Sequence, residues 1–321
     1  LDLSSNDFIG EIPPQLGNLS SLHFLHLSSN DLIGEIPPQL GNLSSLHFLH
    51  LSSNYLSGRI PPQLGNLSSL HFLDLSYNNH GLIITNLDWV STLSSLRHLD
   101  LSYTDLSKVK NVFQPIIGNK LPHLTKLTLQ SCRLHEISSP SFHSHVNSSK
   151  SLSILDLSDN YFLSIHTFQW LFSSMPNLVH LDFSGNSLGI IPNGFGATMV
   201  SLTYLDLNHN QLENSIPNDF GNLTVLEHLD LRYNNLNGEI PKSIWNICTL
   251  RSFYANYNNL SGALLDLSEL SFRSCAHYSL EYLELRSNQM TKMFVNVTPF
   301  SSLKELRLQS NDLQGKIPQS I

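Results

Sequence analysis

The sequence predicts an α/β repeat fold, a right-handed solenoid of short coils. A concave parallel β-sheet is expected on one side, with irregular segments, 3-10 turns or short helices on the convex side. Three observations carry that expectation. The stretch Leu16 to Gln39 returns almost unchanged from Leu40 to Gln63, differing only where Asp31 becomes Tyr55, Ile33 becomes Ser57 and Glu35 becomes Arg59. Within it Leu22, Leu25, Leu27 and Asn30 spell L-x-x-L-x-L-x-x-N, followed by Gly34-x-Ile36-Pro37. The same frame then recurs along the chain, its last position falling at Asn6, Asn30, Asn54, Asn78, Thr104, Cys132, Asn160, Asn186, Asn210, Asn234, Asn258, Asn288 and Asn311, in steps of 23 to 30 residues.

That pattern is the leucine-rich repeat signature, whose unit runs about 20–29 residues. No single coil buries its apolar face, but stacked coils share one continuous core. Thirteen coils account for residues 1–321, so one array is expected, partial at both ends and without caps, with longer irregular coils over residues 79–177. In each L-x-L segment side chains alternate, so Leu25 and Leu27 are expected inward and Phe24, His26 and Ser28 in solvent. The asparagine amide both donates and accepts, and repeated once per coil it satisfies backbone groups where the strand bends away. Thr104 and Cys132 replace it with weaker donors.

Gly-x-Ile-Pro turns the chain on the far side, glycine permitting positive φ and proline removing a donor. Ile-Pro occurs at Pro13, Pro37, Pro61, Pro192, Pro217, Pro241 and Pro318 and is missing from about Gly81 to Pro176. There, Asn86–Leu96 and Thr167–Met175, carrying Trp89 and Trp170, are expected to form helical turns on the convex side.

Composition narrows the function. With 13% charged residues, a net charge of −8 and no basic run, nucleic acid is argued against as a partner. No apolar run of about 18 residues marks a membrane span. No signal peptide is read at Leu1, and the chain opens and closes inside repeats. The expectation is therefore a piece of a longer protein or a truncated gene product, which would aggregate when expressed with uncapped ends.

Of three cysteines, Cys132 holds a ladder position and is expected to be structural. Cys248 and Cys275 fall in neighbouring coils on one flank, where a disulfide is geometrically plausible and would imply an oxidising compartment. N-x-Ser/Thr sequons occur at Asn18, Asn42, Asn66, Asn147, Asn222, Asn259 and Asn296. Roughly six are expected by chance in a chain this rich in Asn, Ser and Thr, so number decides nothing. Asn18, Asn42, Asn66 and Asn222 share the frame Gly-Asn-Leu-Ser/Thr away from the strands, which fits a ridge of sugar and repeat grammar equally.

The outward stripe holds the candidate binding residues. Early coils, Phe24-His26-Ser28 through Phe72-Asp74-Ser76, are monotonous and suit a spacer. Later coils diversify, and Tyr204, His228, Arg232, Tyr254, Tyr282, Glu284, Arg286 and Arg307 are the candidate ligand-binding residues, because Tyr and Arg most often anchor interfaces. The mid-strand acids Asp74, Asp100, Asp156, Asp182, Asp206 and Asp230 are read as repeat consensus rather than catalytic or calcium-binding groups, since no enclosed pocket is expected to shift their pKa values. His26 and His50 supply two metal ligands without a third, and are expected instead to make binding sensitive to pH between about 5 and 7. No nucleophile, metal, phosphate-binding or kinase constellation appears, so neither an enzyme nor a cofactor is expected.

The 24-residue form Asn-x-Leu-x-Gly-x-Ile-Pro-x-x-Leu-Gly-Asn-Leu resembles the plant class of extracellular leucine-rich repeats. Asn86-Leu87-Asp88-Trp89-Val90 continuing to Leu99, Lys120-Leu121-Pro122-His123-Leu124 running into Ser131-Cys132, and Asn246-Ile247-Cys248-Thr249-Leu250 followed by Ser274-Cys275 resemble receptor-like proteins related to the ethylene-inducing-xylanase receptors of plants. The resemblance implies an extracellular recognition array at the plasma membrane, acting in plant defence on a protein or peptide ligand and signalling through receptor-kinase co-receptors or adaptors. It also implies that Cys248 and Cys275 are paired. The family's N-terminal cysteine-bearing cap, non-repeat island, C-terminal cap and membrane segment have no counterpart here, so any membrane attachment would run through a segment outside this sequence. A secreted inhibitor similar to polygalacturonase-inhibiting proteins, and the ectodomain of a peptide-hormone receptor kinase, are the alternative readings.

Overall fold

The computed structural model describes residues 1–79, 81–110, 112–117, 120–135, 151–263, 275–292 and 300–314. Asn147, Asn296 and Pro318 lie outside the described residues. The chain divides into two compact units, Leu1–Phe162 and Leu163–Ile321.

In the first unit the L-x-L segments become six parallel strands: β1 (Phe24–His26), β2 (Phe48–His50), β3 (Phe72–Asp74), β4 (His98–Asp100), β5 (Lys126–Thr128) and β6 (Ile154–Asp156). Each pairs with the next in equivalent register, so Leu25, Leu49, Leu73, Leu99, Leu127 and Leu155 lie side by side. The second unit repeats the arrangement with β7 (His180–Asp182), β8 (Tyr204–Asp206), β9 (His228–Asp230), β10 (Ser252–Tyr254), β11 (Tyr282–Glu284) and β12 (Glu305–Arg307). The inward leucines of β1 to β6 are wholly buried, each contributing about 1.5–3 kcal/mol by leaving water.

The asparagine ladder joins coils as well as closing them. Asn54 Nδ2 donates to Leu51 O and Ser52 O in its own coil and to Leu27 O in the coil before, at 3.2, 3.1 and 3.0 Å. Its Oδ1 accepts from the Leu32 backbone N–H at 3.0 Å. The weaker substitutes behave unequally. Cys132 Sγ donates to Leu101 O at 3.1 Å, whereas the Thr104 hydroxyl is buried without a partner among the described residues. Burial also pushes the Cys132 thiol pKa up, so it stays protonated and inert. The residue before each ladder position has positive φ in all thirteen coils, and twelve of these are not glycine, Gly185 being the exception.

On the opposite side, Pro14–Asn18, Pro38–Asn42 and Pro62–Asn66 form 3-10 turns, as do Asn218–Asn222 and Lys242–Asn246 in the second unit. Proline opens the first three, where a missing N–H costs nothing. Coils stack tightly there: a Cβ on Gly41 would fall 2.3 Å from Gln63 O. In the longer coils the expected helical turns are a 3-10 turn at Val90–Thr92, beside buried Trp89, and an α-helix at Ile165–Ser174 bearing half-buried Trp170. That helix begins earlier than the sequence pattern suggests, because the Ser164 hydroxyl accepts from His166 N–H and caps it. Cys248 and Cys275 form a disulfide with their Cα atoms 4.8 Å apart. No helix among the described residues is long and apolar enough to cross a membrane.

Candidate functional site

Because adjacent parallel strands lie about 4.8 Å apart, equivalent side chains from successive coils stack into rows. In the first unit Phe24, Phe48 and Phe72 stack at 4.3 Å per step, and His98 continues the row at 4.4 Å. His26 and His50 stack at 4.5 Å. Each imidazole is engaged locally: His26 Nε2 pairs with Ser28 Oγ at 2.8 Å, and His50 Nε2 lies 2.7 Å from Ser52 Oγ and 3.0 Å from Asp74 Oδ2. Among the described residues no group of three or more His, Cys, Asp or Glu side chains is placed to hold a metal ion.

Two expectations about this face are corrected. Ser28, Ser52 and Ser76 were expected in solvent but are buried, as are the equivalent Ser102 and Ser158, since the side chains of neighbouring coils close over a position at the end of the strand. The mid-strand acids are likewise not free of pKa shifts. Burial pushes Asp100 up to about 6, helped by the charge of Asp74 alongside. Asp206 is raised well above the ordinary carboxylate range by burial and by Asp230 and Asp182, which lie in register on β9 and β7. No enclosed pocket is needed, because the sheet itself stacks like charges on a half-dry surface. Asp74 goes the other way: burial raises it, but hydrogen bonds from His50 and Ser76 outweigh that and lower it. His98 is depressed to about 4, by burial first and Lys126 second.

The eight candidate binding residues all lie in the strand coils of the second unit, and the structure sorts them. Tyr204 stacks on His180 at 4.0 Å and on His228 at 4.4 Å, making one aromatic row, and Tyr254, in register with Asp230, meets His228 at 5.4 Å from the neighbouring row. Arg232 grips buried Asp230 through Nε, 2.9 Å from Oδ1 and 2.8 Å from Oδ2, and lies 5.1 Å over the Tyr254 ring. Glu284 is buried and pairs with Arg307 at 3.3 Å. Lys304 sits 5.9 Å over Tyr282. Arg286 lies 5.0 Å over Tyr257.

Sequence reasoning missed a second aromatic row. His209, Tyr233 and Tyr257 stack at 4.2 and 4.4 Å, one residue before the ladder asparagines. Tyr77 and Tyr103 do the same in the first unit at 4.5 Å. The recurrence of aromatic residues at that offset was the available signal. Alternation within L-x-L did not extend to it.

The arrangement is a stacked surface of aromatic rings, amides and paired charges. The leucine-rich repeat region model matches residues 1–189, and single leucine-rich repeats match residues 201–223, 225–247 and 302–321. This chain belongs to the leucine-rich repeat family. Among curated proteins it is similar to receptor-like protein EIX1 of tomato (Solanum lycopersicum), 37% identical over 244 residues. That match covers 75% of this chain and 21% of the tomato protein, so the chain spans about a fifth of that relative's length. Among solved structures it is similar to a leucine-rich repeat protein of Leptospira interrogans, with a TM-score of 0.77 and 27% identity over 96% of this chain and 71% of that one. It is also similar to the plant peptide hormone receptor RGFR1 in complex with RGF2, with a TM-score of 0.59 and 26% identity over 99% of this chain and 56% of that one.

Proposed function

We propose that this chain is part of the ligand-recognition ectodomain of a plant cell-surface immune receptor-like protein. It binds a protein or peptide ligand through the sheet face of the second unit and works with a partner receptor kinase. It acts by binding, without catalysis or a cofactor. The observation that carries the reading is the gathering of Tyr204, His228, Arg232, Tyr254, Tyr282, Glu284, Arg286 and Arg307 in five successive coils, where aromatic rings and arginines are already held in place by stacking and ion pairs. Preorganised side chains of these types bind with little ordering cost. The likeness to a tomato receptor-like protein supports the class, and the likeness to a hormone receptor solved with its peptide supports a peptide as the ligand type.

Asn18, Asn42, Asn66 and Asn222 end 3-10 turns and are exposed, and Asn259 is exposed in a short outer strand, Asn259–Ala263. Sugars on these residues would leave the sheet face free. The extracellular, plasma-membrane setting belongs to the parent protein.

The test is affinity selection of a soluble randomised peptide library on the purified full chain, repeated with Tyr204→Ala, Tyr254→Ala and Tyr282→Ala combined. Recovery is expected to fall at least about tenfold in the triple variant, each truncated anchor costing about 1 kcal/mol or more. Undiminished recovery would remove the second-unit face from the binding reaction.

A further inference from the structure

In the coils up to that of Asn234, the residue two before the ladder asparagine is served by the residue two before itself. Ser28 and Ser52 bond to His26 and His50, while Ser76, Ser158, Ser184 and Asn208 bond to Asp74, Asp156, Asp182 and Asp206. In the β10 coil the acid is replaced by Tyr254, and the residue it would have served is Asn256. Asn256 is 0% exposed, and neither its Nδ2 nor its Oδ1 has a partner among the described residues. A buried primary amide with both ends unpaired is costly, and native structures rarely keep one without a use.

Its neighbour on the next coil is also uncommitted. Tyr257 N–H donates to Arg286 O at 3.0 Å and Ala255 N–H to Glu284 O at 2.9 Å, which sets Asn256 beside Arg286 in register. Three other arginines of this unit have carboxylates: Arg232 holds Asp230, Arg251 lies 3.5 Å from Glu227 and 3.8 Å from Glu281, and Arg307 holds Glu284 and Glu305. Arg286 has no ion pair among the described residues, its Nε is buried without an acceptor, and its guanidinium lies over Tyr257.

We infer that Asn256 and Arg286 together receive an acidic residue of an extended peptide. The planar amide of Asn256 offers one donor edge and one acceptor, which match the C=O and N–H of a peptide main chain. Arg286, about 4.8 Å away across the strand spacing, takes the side-chain carboxylate of the same residue, a span that Asp or Glu covers. Binding moves the Arg286 guanidinium from the Tyr257 ring to the carboxylate and requires the side chains that cover Asn256 to part. This assignment rests on the peptide-recognition reading above and adds the chemistry the ligand must carry.

The probe is a randomised dodecapeptide library, N-acetylated and C-amidated so that every carboxylate is a side chain, selected on the full chain and read by mass spectrometry. Selected peptides are expected to be enriched in Asp or Glu at one position, and replacing that residue by Asn or Gln should weaken binding about tenfold or more. Arg286→Gln should abolish the acidic preference, while Arg251→Gln, outside the candidate binding residues, leaves it. Asn256→Ala should weaken acidic and amidated peptides by the same factor. Asn256→Ser, which keeps a small polar group in the core, guards against a folding defect and should give the same uniform loss.

If peptides bind the wild type without acidic preference, or keep that preference in Arg286→Gln, this inference falls and peptide recognition stands. If peptides bind only when the C-terminus is left free, whatever their acidic content, the carboxylate is terminal and the side-chain assignment falls. If no library peptide binds, the recognition reading falls with it.

Discussion

Removing one ladder amide tests the account of how coils are joined. In Asn54→Ala the Leu32 N–H, in a residue 7% exposed, loses its acceptor, while Leu27 O still receives Asn30 Nδ2 and Leu51 O still receives Asn78 Nδ2. The dominant loss is therefore one buried, orphaned donor, about 1–3 kcal/mol, with a smaller share from the three shared carbonyl bonds at about 0.5 kcal/mol or less each. The sum is about 3 kcal/mol. Solenoid stability is local, so the loss should appear in the coils around Asn54 rather than as one global shift. Amide hydrogen exchange reads this directly: Leu32 N–H should exchange about a hundredfold faster, and the strand Tyr204–Asp206 should be unchanged. Exchange at Leu32 within about threefold of wild type would refute the view that the ladder carries inter-coil cohesion.

Other perturbations follow from the same geometry. Gly41→Ala would drive a Cβ into the Gln63 carbonyl and should cost about 1–3 kcal/mol in urea denaturation. Reducing the Cys248–Cys275 disulfide, which closes a separation of 27 residues, should cost about 3–4 kcal/mol and speed exchange in β10 and β11. Asp100, raised to about 6 against an unfolded value of 3.8, holds a proton in the folded state that the unfolded state has lost. Its contribution is present below about pH 4 and is lost as pH rises through 6. Asp100→Asn should remove that slope and stabilise the first unit by about 1–3 kcal/mol at pH 7.5, seen as a thermal midpoint that no longer falls between pH 4 and 7.

The repeat frame was legible from residue spacing because it depends on one covalent fact, the alternation of side chains along a strand. That is why Leu25, Leu49 and Leu73 were placed correctly, and why every ladder asparagine was found. What lay beyond the sequence depends on distances between coils. Alternation assigns Ser28 and Asp206 to the outer face, but not how closely neighbouring coils cover them. At one strand spacing the cover is complete for Ser76 and nearly so for Asp206. The left-handed residues of the ladder turn were hidden for another reason: Ser53, Tyr77, Asp159 and His209 carry no glycine signal, so the backbone requirement leaves no trace in composition. Among the candidate binding residues, Tyr204 and Tyr254 contact the ring of His228 on the sheet face, whereas Arg232 and Glu284 are engaged in ion pairs within the protein. Asn256 was passed over because its significance lies in the partner that Tyr254 fails to provide.

The central claim is that the second-unit sheet face receives the ligand. Hydrogen–deuterium exchange of the full chain, with and without a selected peptide at saturation, tests it most directly. The account predicts slowed exchange confined to the coils from Tyr204 to Gln309, strongest around Asn256 and Arg286, with β1 to β3 unchanged. Protection centred on β1 to β3 or on the 3-10 turns, with the second-unit strands unaffected, would contradict it.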